Sequence, residues 1–160
     1  MERRRRAAML RRLALLTWIG VGLIACTPAA VTSLLPVPAG PLVTVTTRGG
    51  ECPEGACGST LVIERGGRLL QTAPESVVMG QMPPDVLAAL DRIIKATDFA
   101  AIRSWKFTGE CPTAYDGQEV IYEFGAPTGI ERVASCETEI DPDHPLFKAV
   151  HEALSLGGMV

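Results

Sequence analysis

An α+β fold is predicted for this chain: a small antiparallel sheet of about five strands, two helices packed on one face, and two disulfides. Three observations lead there. Short β-branched runs recur between Gly- and Pro-rich turn signals. Two longer stretches place apolar residues at helical spacing. Four cysteines are spread over the same region. With 160 residues and 17.0 kDa, the chain has the material of one domain.

Taken in order, Leu42 to Thr47 (LVTVTT) reads as the first strand. Thr60 to Glu64 and Arg68 to Thr72 flank Gly66-Gly67, a hairpin signal. Asp85 to Thr97 follows Pro83-Pro84 and sets Val86, Leu87, Leu90, Ile93 and Ile94 on one helical stripe. Gln118 to Phe124 alternates, with Val120, Tyr122 and Phe124 on one side; Gly125 to Gly129 turns and Ile130 to Cys136 returns. A last helix from about Pro145 carries Leu146, Phe147, Val150 and Leu154 and stops at Gly157-Gly158. The expected order is β-β-β-α-β-β-α, with no internal repeat.

Charge is split along the chain. Six arginines (Arg3, Arg4, Arg5, Arg6, Arg11 and Arg12) crowd the first 25 residues, against Glu2 alone. From Cys26 onward 9 basic side chains face 17 acidic ones, a net charge of −8. An acidic body repels phosphate backbones, so no nucleic-acid partner is expected.

The first 25 residues read as a lipoprotein signal peptide. A basic segment precedes Leu13 to Ala25 (LALLTWIGVGLIA), whose length as a helix is roughly 20 Å, short of a ~30 Å hydrocarbon core. Leu23-Ile24-Ala25-Cys26 resembles the bacterial lipobox. That resemblance implies cleavage after Ala25 and a diacylglyceryl thioether on Cys26, which would tie the protein to a lipid bilayer. Residues 26–41 are then the lipidated cysteine and a Pro-rich tether, the tether 27–41 carrying four prolines and no charge and extending about 45 Å if fully drawn out. Residues 42–160 form the single α+β domain. The expected place is a cell membrane or outer membrane, facing the periplasm or the cell exterior.

In an oxidising compartment, the four body cysteines read as two bridges. Of three possible pairings, Cys52–Cys57 and Cys111–Cys136 are favoured. The first closes the loop ECPEGAC, and the second ties the entry of the last hairpin to its exit. Each stabilises by about 2–4 kcal/mol, the longer loop more. The competing four-cysteine zinc site lacks paired C-x2-C knuckles, so no metal is expected, and no cofactor beyond the covalent lipid.

Few residues are arranged for chemistry. His144 lies in Asp141-Pro142-Asp143-His144-Pro145, either a weak cation site or, as favoured here, an Asx-turn and helix cap. His151 falls opposite the apolar stripe of its helix. No nucleophile elbow, P-loop or dinucleotide glycine pattern occurs, and Gly49-Gly50 and Gly66-Gly67 read as isolated turn pairs. Trp105 and Phe107 alternate and offer either an aromatic platform or one core and one partly covered ring. The informative stretch is Glu110-Cys111-Pro112-Thr113-Ala114-Tyr115-Asp116-Gly117, pinned at its start by a disulfide. It reads as extended through Pro112 and turning at Asp116-Gly117, so Pro112, Thr113, Ala114 and Tyr115 form the candidate partner-binding loop. The bland alternative is a hairpin entry with Tyr115 packed down.

Cys111, Pro112, Tyr115, Asp116, Tyr122, Arg132, Cys136 and Glu137 together resemble the C-terminal half of the Streptomyces subtilisin inhibitor family, over about 50 residues. The helix at 85–97 matches the family's preceding helix. The resemblance implies a loop that enters a serine-protease cleft in substrate-like fashion, with Thr113 as the specificity residue and Thr113–Ala114 as the scissile bond. Gly117 stands where the family has proline, and Cys52 and Cys57 lie earlier and closer together than its other disulfide.

The function expected is a non-enzymatic interaction module on a membrane lipoprotein, its partner a serine protease or an envelope protein. One alternative is an envelope assembly lipoprotein binding through its sheet face and the Trp105/Phe107 region. Another is a hydrolase or metal-dependent enzyme using Asp141, Asp143 and His144.

Overall fold

The computed structural model describes residues 40–52 and 57–157, all within one compact unit. The signal peptide, Cys26, nearly all of the tether, Pro53 to Ala56 and residues 158–160 lie outside the described residues.

Six strands form one antiparallel sheet: β1 (Val43–Arg48), β2 (Gly58–Ile63), β3 (Arg68–Ala73), β4 (Val77–Gln81), β5 (Glu119–Ala126) and β6 (Gly129–Ala134). Their spatial order is β4-β3-β2-β1-β5-β6, so β1 lies inside the sheet and β4 and β6 are its edges. The helices are α1 (Pro84–Ala96), α2 (Phe99–Ser104) and α3 (Pro145–Gly157). The α+β class and the two disulfides are as expected; the sheet gains β4, and a short third helix, α2, follows α1.

The β1 register fixes which side chains share a face. Val45 sits opposite Leu61 of β2 and Tyr122 of β5, and Tyr122 in turn opposite Val133 of β6. Alternation puts Val43, Ile63 and Phe124 on this same face. The helices cover it: Leu90 and Ile94 of α1, Ile102 of α2, and Leu146, Phe147 and Val150 of α3 join the sheet residues in one buried core. Phe124 is wholly buried at its centre, 5.3 Å from the Phe99 ring and 6.4 Å from Phe147 between centroids. Tilted aromatic neighbours at this range add to the area they bury. The opposite face carries Thr44, Thr46, Thr60, Val62 and Leu70, all half-buried.

Each helix starts for a local reason. Pro84 begins α1, where its missing N–H costs nothing, and Asp85 in the first turn and Lys95 in the last complement the helix dipole. Asp98 caps α2, its Oδ1 accepting from the backbone N–H groups of Ala100 and Ala101 at 3.0 Å each. At α3 the Nδ1 of His144 accepts from the Leu146 N–H at 3.2 Å, and Pro145 follows the cap.

Candidate functional site

The segment after Cys111 is not extended. Pro112 to Tyr115 forms one 3-10 turn. The Ala114 N–H donates to the Cys111 carbonyl at 2.9 Å, and the Gly117 N–H to the Pro112 carbonyl at 2.8 Å. Proline at the first helical position has the right φ and no N–H to lose, so Cys-Pro starts this turn as readily as it continues an extended run. Asp116 ends it in the left-handed region at φ 60. Asp tolerates that conformation better than most residues. Gly117 is needed twice. Its N–H closes the turn, and a Cβ there would stand 2.6 Å from the Pro112 Cβ. A proline at 117 would supply no such N–H.

Pro112, Thr113, Ala114 and Tyr115 are all exposed. Tyr115 is not packed down: it is 68% exposed and its hydroxyl donates to the Glu110 carboxylate. That hydrogen bond, with a smaller contribution from desolvation, holds the Tyr115 phenol above its ordinary pKa.

Two covalent bridges hold this end of the domain. Cys111–Cys136 joins the start of the turn to the segment after β6, with a Cα–Cα distance of 5.1 Å. Cys52–Cys57 closes the β1–β2 connection at 5.3 Å. The two stapled loops meet. Gly49 and Gly50, at φ +88 and +90, bring the β1–β2 connection under the turn: a Cβ at Gly49 would lie 2.6 Å from the Thr113 Cγ2, and one at Gly50 3.3 Å from the Asp116 carbonyl oxygen. The Gly49-Gly50 pair, expected to be an isolated turn, is thus the seat of the 3-10 turn. Its visible signal was two consecutive glycines just past a β-branched strand. Beside it, Glu119 is only 3% exposed and accepts from the Arg48 Nε at 2.6 Å.

The other candidate residues fall elsewhere. Trp105 is 48% exposed and Phe107 half-buried, so neither is a core residue. The Trp105 ring meets His144 edge-on at 6.5 Å, and its carbonyl accepts from the Glu139 N–H at 2.8 Å. Asp141 accepts from the Asp143 N–H at 2.9 Å as an Asx-turn, while His144 caps α3. The Asp141 Oδ1 and the His144 Nδ1 are thus engaged in local backbone geometry. Among the described residues no group of three or more His, Cys, Asp or Glu is placed to hold a metal ion. His151 is exposed. What the arrangement offers is a solvent-facing turn, held by the Cys111–Cys136 bridge, with Tyr115 at its end. No protein-family model matches this chain, and neither a curated protein nor a solved structure matches it.

Proposed function

We propose that the protein is a membrane-anchored lipoprotein whose domain serves as a non-enzymatic protein-interaction module, presenting Pro112 to Tyr115 to a protein partner. The observation that carries this reading is the exposed turn itself. Four consecutive solvent-facing residues are closed by two backbone hydrogen bonds, stapled at Cys111 and seated on Gly49. Such a turn is ordered during folding, so binding does not have to order it again. The anchor is supported by the residues alone: the arginine block, the short apolar run and Cys26 after Leu23-Ile24-Ala25. Replacing Cys26 with Ser is expected to release the domain from the membrane fraction or to leave an uncleaved precursor.

The test of the interaction reading places a photo-reactive phenylalanine analogue at Tyr115 of the full chain in its native membrane. One specific protein adduct is expected, lost when Cys111→Ser and Cys136→Ser release the turn. Adducts that ignore the disulfide, or none at all, would sink it.

The inhibitor-like form of this reading has its own support in the exposed Thr113–Ala114 bond directly after a disulfide-held Cys-Pro. Substrate-like entry into a protease cleft requires the 3-10 turn to open, giving up the hydrogen bonds at Cys111 and Pro112. Titration against a panel of serine proteases distinguishes the two forms. Stoichiometric inhibition with a single cut at Thr113–Ala114 establishes the inhibitor, and unhindered protease activity leaves recognition of the folded turn.

A further inference from the structure

We infer that the β4 edge of the sheet is a self-association surface, at which two copies of the chain pair their β4 strands antiparallel about a two-fold axis. The two edges of the sheet are unequal. One helix meets each edge strand, α2 at β6 and α3 at β4, but at β6 Glu131 and Arg132 interrupt the strand with charge. At β4 the strand Val77–Gln81 holds no charge and no proline, and Val77, Val78 and Met79 are 47, 62 and 36% exposed. Natural sheets blunt their edges with charge, proline or a bulge; of these devices β4 has only a register shift, at Met79.

The apolar surface also runs inward from this edge. Val78 lies opposite Leu70, Leu70 opposite Val62, and Val62 opposite Thr44, so a row of uncharged side chains on the face away from the helices ends at Val78. A β4–β4 pairing continues that row into the second copy.

Charge selects the occupant and its direction. Ser76 to Pro84 is uncharged in a body of net charge −8, so this edge is where another copy of the same acidic domain approaches with least repulsion. Parallel pairing sets the two Glu75 side chains next to each other. Antiparallel pairing sends each Glu75 to the far end of the other strand, beside Gln81, whose partner on β3 is Arg68. Such a contact is isologous and closes at two copies, because the two-fold axis uses the β4 edge of both copies at once. Three side chains and one strand fall short of the roughly 800 Å² per partner of a standard stable interface, so the pair is weak and concentration-dependent.

The experiment uses the full chain. With Val78→Cys, mild oxidation is expected to give a disulfide-linked dimer at least tenfold faster than with Ile130→Cys, which is 71% exposed on β6. Adding Val77→Lys to the Val78→Cys chain should suppress it. Without any new cysteine, amide exchange of the peptide spanning 74–84 should slow as concentration rises, and Val78→Lys should abolish that dependence. Equal cross-linking at Val78 and Ile130, concentration-independent exchange, linkage of Val78→Cys to a different protein, or growth beyond two copies would each overturn the proposal.

Discussion

Gly49 and Thr113 meet backbone against methyl: a Cβ on Gly49 would stand 2.6 Å from the Thr113 Cγ2 and 2.9 Å from the Gly117 carbonyl oxygen. The residues lie on different loops, and their contact seats the 3-10 turn on the β1–β2 connection. Gly49 also holds φ +88, where an L side chain is strained whatever the space around it. Gly49→Ala is therefore expected to destabilise the domain by about 1–3 kcal/mol in denaturant melts. Thr113→Ser removes the offending methyl from an exposed site and alone should have little effect. In the double variant it should recover part of the loss, and strictly additive losses would show that the two residues do not press on each other.

Arg48 and Glu119 are direct cross-strand neighbours on β1 and β5. The carboxylate is 3% exposed and the arginine side chain 62% exposed, so the pair sits at the edge of the core with water reaching one member. Arg48→Met leaves a desolvated carboxylate without its donor and is expected to cost about 1–3 kcal/mol. Adding Glu119→Leu should restore most of that stability, because two apolar groups need no partner. Denaturant melts of the single and double variants check this; a double variant worse than the single one would contradict it.

Arg103 on α2 and Glu131 on β6 form an ion pair at 2.7 Å that holds the short helix to the sheet edge. The Arg103 hydrogen bond, aided by one from Thr128 and opposed by desolvation, lowers the Glu131 pKa below its ordinary value of 4.5. A carboxylate with a depressed folded pKa stabilises the fold above its unfolded pKa, and that contribution is lost as pH falls through the folded one. Acid should thus loosen α2 from β6 below about pH 4.5, and Arg103→Gln should flatten this part of the pH–stability curve. Carboxyl-carbon NMR of Glu131 reads the shift directly. An unchanged titration in Arg103→Gln would remove the arginine as its cause.

The elements that the sequence missed share a physical reason. β4 is an edge strand with three apolar residues in a row and Gly80 within it, so it lacks the alternation that marks a half-buried strand. α2 is too short for a helical period, and its one visible signal is Asp98 placed to cap the amides of Ala100 and Ala101. β1 and β5 were legible because their Val, Thr, Tyr and Phe residues alternate against a covered face. At the candidate site, the exposed residues Pro112 to Tyr115 were identifiable from Cys-Pro and Asp-Gly. Their conformation was not, because proline suits extended chain and a first helical turn equally. Contact with Gly49 depends on tertiary packing across more than sixty residues, which no local pattern encodes.

The two disulfides separate the chain-entropy account from native packing. Cys111–Cys136 closes 25 residues and Cys52–Cys57 closes 5. Loop entropy alone then assigns about 3.5 kcal/mol to the longer bridge and about 2 kcal/mol to the shorter. Replacing Cys111 and Cys136 by Ala is accordingly expected to cost more in a thermal or denaturant melt than replacing Cys52 and Cys57. It should also open the turn to limited proteolysis at Thr113–Ala114, since the bridge is what ties the start of the turn to the end of β6. The shorter bridge has a different role in the structure. It lies in the connection that carries Gly49 and Gly50, with the Cys57 Cβ 3.6 Å from where a Gly50 Cβ would stand. Its loss should therefore loosen the seat of the turn with a smaller change in global stability. Equal losses for the two pairs would mean that packing at the seat outweighs loop length, and that the two stapled loops unfold as one unit.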